Sequence, residues 1–315
     1  MSTTKKTISV ISPFYNEELG VEAFFARLSS VHAEVADRYD LEVIAINDGS
    51  KDNTLSELVN VRPRYPFLTI VDLSRNFGKE AALSAGLDYA TGDVVIPIDS
   101  DLQHPPELIL EMLAQWEAGF EVVLAKRVDR DTDRAIQKFS ANSFYKLHNY
   151  ISDIDIPADV GDYRLMDRKV VNALKALPEN RRFMKGLFAW VGFKTTTVEY
   201  KVEPRLSGVT SFNTWKLWNF ALEGITSFSS APLRIWSYLG GAISLLSFLY
   251  ALYLILKTVV FGIDTPGYAS LMIAILFVGG IQLIGIGVLG EYLGRIFVET
   301  KRRPVYIVRE VIGRG

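Results

Sequence analysis

Not one cysteine occurs in the 315 residues. Disulfides, thiol nucleophiles and cysteine-based metal sites are therefore excluded. Excess charge of one sign is also missing. The chain has 34 Lys and Arg against 36 Asp and Glu, a formal net charge of -2. A dedicated nucleic-acid binder is usually strongly basic, so no nucleic-acid partner is expected. There is no internal repeat and no low-complexity stretch. Met1 to Lys6 is polar and leads straight into a strand-like run, so no signal peptide is expected.

Charge is absent in a second, local way. Leu233 to Phe261 carries only Arg234 at its start and Lys257 near its end, and Tyr268 to Leu289 carries none. Each stretch exceeds the roughly 20 residues that cross a bilayer. Core helices are seldom apolar on every face for so long. Two membrane-spanning helices are expected. Between them, Gly262 to Gly267 has no Lys or Arg, whereas Arg234, Arg295, Lys301, Arg302 and Arg303 flank the pair. The positive-inside rule then puts both termini in the cytoplasm. Gly290 and Gly294 form a G-x-x-x-G that supports close helix packing, and a homo-oligomer through these helices is the partner expectation. Phe212 to Phe228 interleaves Phe212, Trp215, Trp218 and Phe220 with Asn213, Lys216 and Asn219, as an interfacial amphipathic helix would.

The first 230 residues read as a soluble α/β protein. Strand-like runs at Thr7–Pro13, Leu41–Asn47, Leu68–Leu73 and Asp93–Ile98 alternate with helical patterns at Asn16–Asp37, Asp52–Val61 and Lys79–Ala90. Such alternation implies βαβ units and a mostly parallel sheet. Ligands bind such sheets beyond the carboxyl ends of the strands. Every polar motif falls at such an end: Pro13 to Glu17, Asn47 to Ser50, Ser74 to Lys79, and Asp99 to Gln103.

Asp99-Ser100-Asp101 is the most informative of these. It closes the apolar run Val94 to Ile98, and a strand points residues i and i+2 the same way, roughly 6–7 Å apart. Two carboxylates so placed can share a hard divalent cation that bridges to substrate phosphates. Alone, the pair also fits solvated turn aspartates. Asn16 alone fits a helix N-cap, and Asp48-Gly49 alone fits a plain turn. Gly78-Lys79-Glu80 lacks the surrounding residues of a P-loop, which excludes that NTPase class.

Taken in order, Pro13-x-Tyr15-Asn16-Glu17, Asn47-Asp48-Gly49-Ser50, Arg75-Asn76-Phe77-Gly78-Lys79 and Asp99-Ser100-Asp101-Leu102-Gln103-His104-Pro105 resemble the family-2 glycosyltransferases of GT-A fold. Within them the chain resembles the polyprenyl-phosphate branch. Gly161-Asp162-Tyr163-Arg164-Leu165-Met166, two C-terminal spans and the tail Lys301 to Tyr306 carry that part of the likeness. The two spans with a short loop resemble the bactoprenol glucosyltransferase group within it.

The resemblance implies an architecture and a reaction. Residues 1–208 would form a cytoplasmic GT-A, Rossmann-like catalytic domain, and 209–231 an amphipathic juxtamembrane region. Residues 232–261 and 268–294 would be the spans, and 295–315 a basic cytoplasmic tail, in the plasma membrane. The enzyme would be an inverting hexosyltransferase, moving glucose from UDP-glucose to undecaprenyl phosphate. GDP-mannose is the alternative donor, and a non-catalytic nucleotide-sugar sensor is the alternative class. A processive synthase is disfavoured because no Gln-x-x-Arg-Trp motif occurs.

The resemblance also implies roles. Asp99, Asp101 and Gln103 would hold Mg²⁺ or Mn²⁺. Pro13, Tyr15, Glu17, Asp48, Lys79 and Asp99 would bind the nucleotide sugar. Asp99, Asp101 and Asp162 would be the catalytic carboxylates. Arg127, Arg134, Arg164 and Arg205 would receive the acceptor phosphate, a task suited to the planar guanidinium fork. Gly208-Val209-Thr210-Ser211-Phe212 lacks the lysine that the family commonly carries there, which shifts that load towards Arg205.

Overall fold

The computed structural model describes residues 5–128, 160–177, 179, 182, 184–201, 231–261 and 267–313. Arg134, Arg205, the Phe212 to Phe228 segment and the loop between the two apolar helices lie outside the described residues, apart from Gly267 at that loop's end.

The N-terminal part is a sheet with helices on both faces. Its strands are β1 (Lys6–Phe14), β2 (Tyr39–Asn47), β3 (Leu68–Leu73), β4 (Val94–Pro97), β5 (Val122–Arg127), β6 (Val160–Asp167), β7 (Thr195–Tyr200) and β8 (Val308–Ile312). They order as β7-β5-β6-β4-β1-β2-β3-β8. β1 runs parallel to β2 and β4, β2 to β3, and β5 to β7. β6 is antiparallel to both β4 and β5, and β8 to β3. This is the mostly parallel mixed sheet of a GT-A fold, as expected.

Alternation along the strands explains the two layers. In β2, Val43 and Ala45 point to one core while Ile44 and Ile46 point to the other. The first core takes Phe24, Phe25 and Leu28 from α1 (Val21–Val35), Leu58 from α2 (Thr54–Val61), and Ile109 and Met112 from α4 (Leu108–Glu117). The second takes Ala82 and Leu83 from α3 (Lys79–Tyr89), Val170 and Leu174 from α5 (Arg168–Lys175), and Leu187 from α6 (Met184–Trp190). Central strands buried on both faces read as continuous apolar runs, which is why they were visible in the sequence.

Two long helices follow, α7 (Ala231–Phe261) and α8 (Tyr268–Thr300). Both are long and apolar enough to cross a membrane, and neither is buried in the protein. Leu246, Phe248, Leu283 and Ile286 are among their exposed apolar side chains.

The first helix begins at Val21 rather than at Asn16. Asn16 takes a left-handed backbone, with φ of 57°, and its N–H donates to Ser50 Oγ at 3.1 Å. The N-cap is Gly20, so Asn16 serves the loop and not the helix. The tail after α8 also differs from a simple basic extension, because β8 returns to the sheet edge.

Gly49 follows β2 in a left-handed turn with φ of +63°, and a Cβ there would lie 2.4 Å from the Arg75 carbonyl carbon and the Asn76 nitrogen. Gly49→Ala is expected to destabilise the fold by about 2–3 kcal/mol. Thermal melting of the full chain in detergent reads this as a Tm lowered by several degrees; an unchanged Tm would refute the close approach.

Candidate functional site

The carboxyl ends of β1, β2, β3 and β4 meet at one edge of the sheet. There a cavity of about 310 Å³ is lined by Pro13, Tyr15, Glu17, Asp48, Asn76, Gly78, Lys79, Asp99, Ser100 and Asp101. The structure thus brings together all six residues expected to bind the donor, and two of the three catalytic carboxylates. Gln103 lies beyond that lining, two residues past Asp101, whose Oδ1 accepts its backbone N–H at 3.1 Å.

Lys79 is the centre of the charge arrangement. It is the first residue of α3, set by Gly78, whose φ is 95°. Its Nζ lies 2.7 Å from Asp99 Oδ1 and 2.8 Å from Asp162 Oδ2. Asp162 comes from β6, far from Lys79 in the chain but the antiparallel neighbour of β4, so this bridge ties the start of α3 to that strand. Surrounding protein works against the Lys79 charge, yet the Asp99 and Asp162 carboxylates outweigh it and hold the ammonium's pKa well above its ordinary value. Sequence reasoning placed Lys79 and Asp162 in separate roles; their partnership has no local signature.

The loops are stapled to one another. Asp48 is 3% exposed, and its two oxygens accept the Phe77 N–H at 2.7 Å and the Gly78 N–H at 2.9 Å. Burial raises its pKa from the ordinary value, and these two N–H groups together with Arg75 oppose the rise. Asn16 Oδ1 accepts the Lys51 N–H at 2.8 Å, and Thr54 Oγ1 accepts the Glu17 N–H at 2.9 Å. Ser100 Oγ donates to the Pro13 carbonyl at 3.0 Å. Each polar loop is therefore tied to a neighbour.

His104 packs beside Tyr163 and Tyr200, with ring centroids 5.3 and 5.6 Å away. Its Nδ1 lies 3.8 Å from Asp99 Oδ2. Burial pulls its pKa below the ordinary value, against the opposing pull of Asp99 and Asp101.

Arg164 departs from the expected acceptor set. It is 5% exposed, and its guanidinium donates to the Gly161 carbonyl at 2.6 Å and lies 4.0 Å from the Phe188 ring centre. Burial pulls its pKa down to about 10, and Asp162 opposes the fall. The guanidinium thereby braces the Gly161–Asp162 backbone. Arg127 sits at the carboxyl end of β5, half-buried beside Tyr200 in the register of β7.

Comparison with known proteins bears on this geometry. Residues 9–175 match the family described as Glycosyl transferase family 2, and residues 231–296 match the GtrB C-terminal hairpin. The chain is 51% identical to a prophage bactoprenol glucosyl transferase homolog of Escherichia coli K12, over 96% of this chain and 99% of that one. It is also 51% identical to the bactoprenol glucosyl transferase of Shigella phage SfX, over 96% and 98% of the two chains. The fold matches a mannosyltransferase of Pyrobaculum calidifontis, solved with GDP-Man and Mn²⁺, with a TM-score of 0.51, 18% identity, and coverage of 96% and 86%.

The Lys79 bridge predicts a measurable coupling. Lys79→Met and Asp162→Asn should each lower Tm, and the double variant should lose less than the sum. Lys79 is half exposed, so after solvent screening the coupling is expected at about 1 kcal/mol. Strict additivity in a double-mutant cycle would mean that the ion pair does not form in solution.

Proposed function

Because the chain belongs to glycosyl transferase family 2, we propose that its cavity takes a nucleotide-sugar diphosphate and its acceptor is a polyprenyl phosphate, the specific pair being UDP-glucose and undecaprenyl phosphate. The chain is a glycosyltransferase. The observation that carries the donor half is the convergence of Asp48, Lys79, Asp99 and Asp101 on one cavity at the carboxyl edge of the sheet. The acceptor half is supported by relatives named for bactoprenol glucosyl transfer and by two exposed apolar helices.

The donor set fits a hard divalent cation, Mg²⁺ or Mn²⁺. Asp99 and Asp101 offer carboxylate oxygens, and a positive group, the Lys79 ammonium, already rests against Asp99. Asp99, Asp101 and Gln103 would hold the ion. Bound there, it would offset the charge growing on the leaving diphosphate. Among the described residues no group of three or more His, Asp or Glu side chains is arranged to hold a metal by itself. The donor's phosphates and water would complete the shell.

In the reaction, an oxygen of the acceptor phosphate attacks the anomeric carbon, and the bond from that carbon to the diphosphate breaks. The nucleoside diphosphate leaves and the configuration inverts, through an oxocarbenium-like transition state. A phosphate monoester has a second pKa of roughly 6, so the nucleophile needs little deprotonation at neutral pH. Asp162 is therefore a positioning carboxylate more than a base. Held between Asp162 and Asp99, the Lys79 ammonium presents positive charge to the cavity that receives the diphosphate. Pro13, Tyr15, Glu17 and Asp48 would hold the nucleoside, with Arg127 turned to the acceptor phosphate.

Membrane spanning by α7 and α8 fits the topology of the sheet. β8 follows α8 and pairs with β3, which supports the end of α8 lying on the side of the catalytic domain. With the start of α7 on the same side, two crossings would leave both termini cytoplasmic. Beside Gly279, Gly280, Gly287, Gly290 and Gly294 there is open space, and self-association would use that face. Sedimentation of the solubilised chain as a monomer would remove that last element.

The deciding experiment is transfer of labelled sugar from UDP-glucose to undecaprenyl phosphate in detergent with Mg²⁺, with GDP-mannose in parallel. Lipid-linked glucose is expected, and should vanish with a chelator or with Asp101→Ala. Activity with GDP-mannose alone would replace the sugar and the base. No transfer from either donor would refute the reaction. Asp162→Asn is expected to retain UDP-sugar binding while turnover falls about 10²-fold; unchanged turnover would take Asp162 out of the mechanism.

A further inference from the structure

The C-terminal strand does more than cover an edge. β8 pairs with β3 through Ile70–Ile312, Val71–Val311, Asp72–Glu310 and Leu73–Val308, and the register shifts between Asp72 and Leu73. Arg309 is the extra residue at that irregularity. A bulge re-aims the side chain it carries. Here the Arg309 Nη1 donates to Asp72 Oδ2 at 3.2 Å, and its Nη2 donates to the Ser74 carbonyl at 2.8 Å. The Ser74 N–H in turn donates to the Ile307 carbonyl at 2.9 Å. Ser74 is gripped by the tail on both its backbone groups.

Both partners lead into the site. Asp72 is 2% exposed, and its Oδ1 accepts from Asn47 Nδ2 at 2.7 Å. Asn47 precedes Asp48, which holds the N–H groups of Phe77 and Gly78. The segment from Ser74 to Gly78 is thus suspended between the tail at one end and Asp48 at the other. Asn76 and Gly78 line the cavity, and the segment delivers Lys79 to Asp99 and Asp162.

We infer that Arg309 is a positioning residue of the donor site, acting through Asp72 and Ser74 to set the loop that carries Asn76, Gly78 and Lys79. The inference rests on the donor reading above for what the loop binds, though not for the loop's restraint. A bidentate guanidinium on a buried carboxylate and a carbonyl is directional, and the single nitrogen of a lysine does not reproduce that planar fork. The strand thereby couples the segment that leaves α8 to the nucleotide pocket.

Hydrogen exchange on the full chain in detergent, without ligand, tests this directly. Arg309→Ala is expected to speed exchange of the 74–79 segment about tenfold, the size expected for losing one charge-assisted bond. Arg309→Lys should fall between, and Glu310→Ala, a neighbour on the same strand, should leave that segment unchanged. A role confined to covering the sheet edge would change exchange only in β3 and β8, and that result would overturn the inference. If Arg309→Ala fails to fold, the double variant Arg309→Ala with Asp72→Asn removes the stranded buried charge and takes its place.

A second arm titrates UDP with Mg²⁺ and measures KM for each substrate. Arg309→Ala should weaken UDP and raise the donor KM by about tenfold, with the acceptor KM unchanged. A fall in Tm with unaltered UDP affinity and donor KM would also overturn the inference. Failure of the wild-type chain to bind UDP would instead count against the donor reading, and the exchange arm would then decide on the restraint alone.

Discussion

Like charges crowded at one sheet edge set the terms for the whole site. Asp99 and Asp101 follow β4, Asp162 lies on its antiparallel neighbour β6, and carboxylates gathered in this way would repel one another. Lys79 resolves much of that conflict by standing between Asp99 and Asp162 at hydrogen-bond distance from each. The site is therefore assembled around a positive charge from the protein itself. A cationic metal and a polyanionic diphosphate would enter a field in which opposite signs are already paired, and each can exchange partners with little net change in charge. Fixed dipoles and charges of this kind cost no reorganisation at the moment of reaction.

Rigidity around that charge pair comes from hydrogen bonds between loops, since loops alone carry little packing. Asp48 gives both its oxygens to the Phe77 and Gly78 amides, and Asn16 ties its own loop to the turn after β2. The backbone pays in local strain at Asn16, with φ of 57°, and at Leu102, with φ of 56°. Leu102 follows Asp101 directly, so the strained residue adjoins the carboxylate pair. Strain of this sort persists only where neighbours over-determine it. The Ser100 hydroxyl, bonded to the Pro13 carbonyl, is one such neighbour.

What could be read in the sequence was what repeats at short range. Central strands were visible because burial on both faces makes them apolar throughout, and the loops at their carboxyl ends carry polar motifs that break those runs. The α7 and α8 helices were visible from length and lack of charge. Long-range pairings left no such mark. Lys79 and Asp162 are far apart in the chain, and nothing near either names the other. Arg164 looks like any phosphate-binding arginine until its burial against Phe188 is known. The start of α1 was displaced because Asn16 has both a capping and a left-handed propensity, and tertiary bonds to Ser50 and Lys51 chose the second. β8 escaped notice because Val308-Arg309-Glu310-Val311-Ile312 is short, charged and preceded by a basic run, and its only strand signal is its partner.

That late strand ties the end of α8 to the sheet. An exposed edge at β3 would offer unpaired backbone groups to other chains; β8 covers it and becomes the edge in its place, short and carrying Arg309 and Glu310, which blunts that hazard. Its position also fixes a distance. Residues 301–307 separate the end of α8 from the start of β8, and a chain of that length spans at most about 30 Å when fully extended. The β3 edge cannot lie farther than that from the end of α8 at Thr300. A lipid-borne phosphate stays near the headgroup plane, so a catalytic domain on a long free linker would meet it rarely and in every orientation. On the proposed membrane reading, a short tether ending in a sheet strand would keep the domain near the surface and restrict how it can turn. Proximity bought in this way reduces the entropy lost when acceptor and donor meet. The same strand also holds Ser74 and Asp72, so the connection to α8 and the order of the 74–79 loop share one structural element.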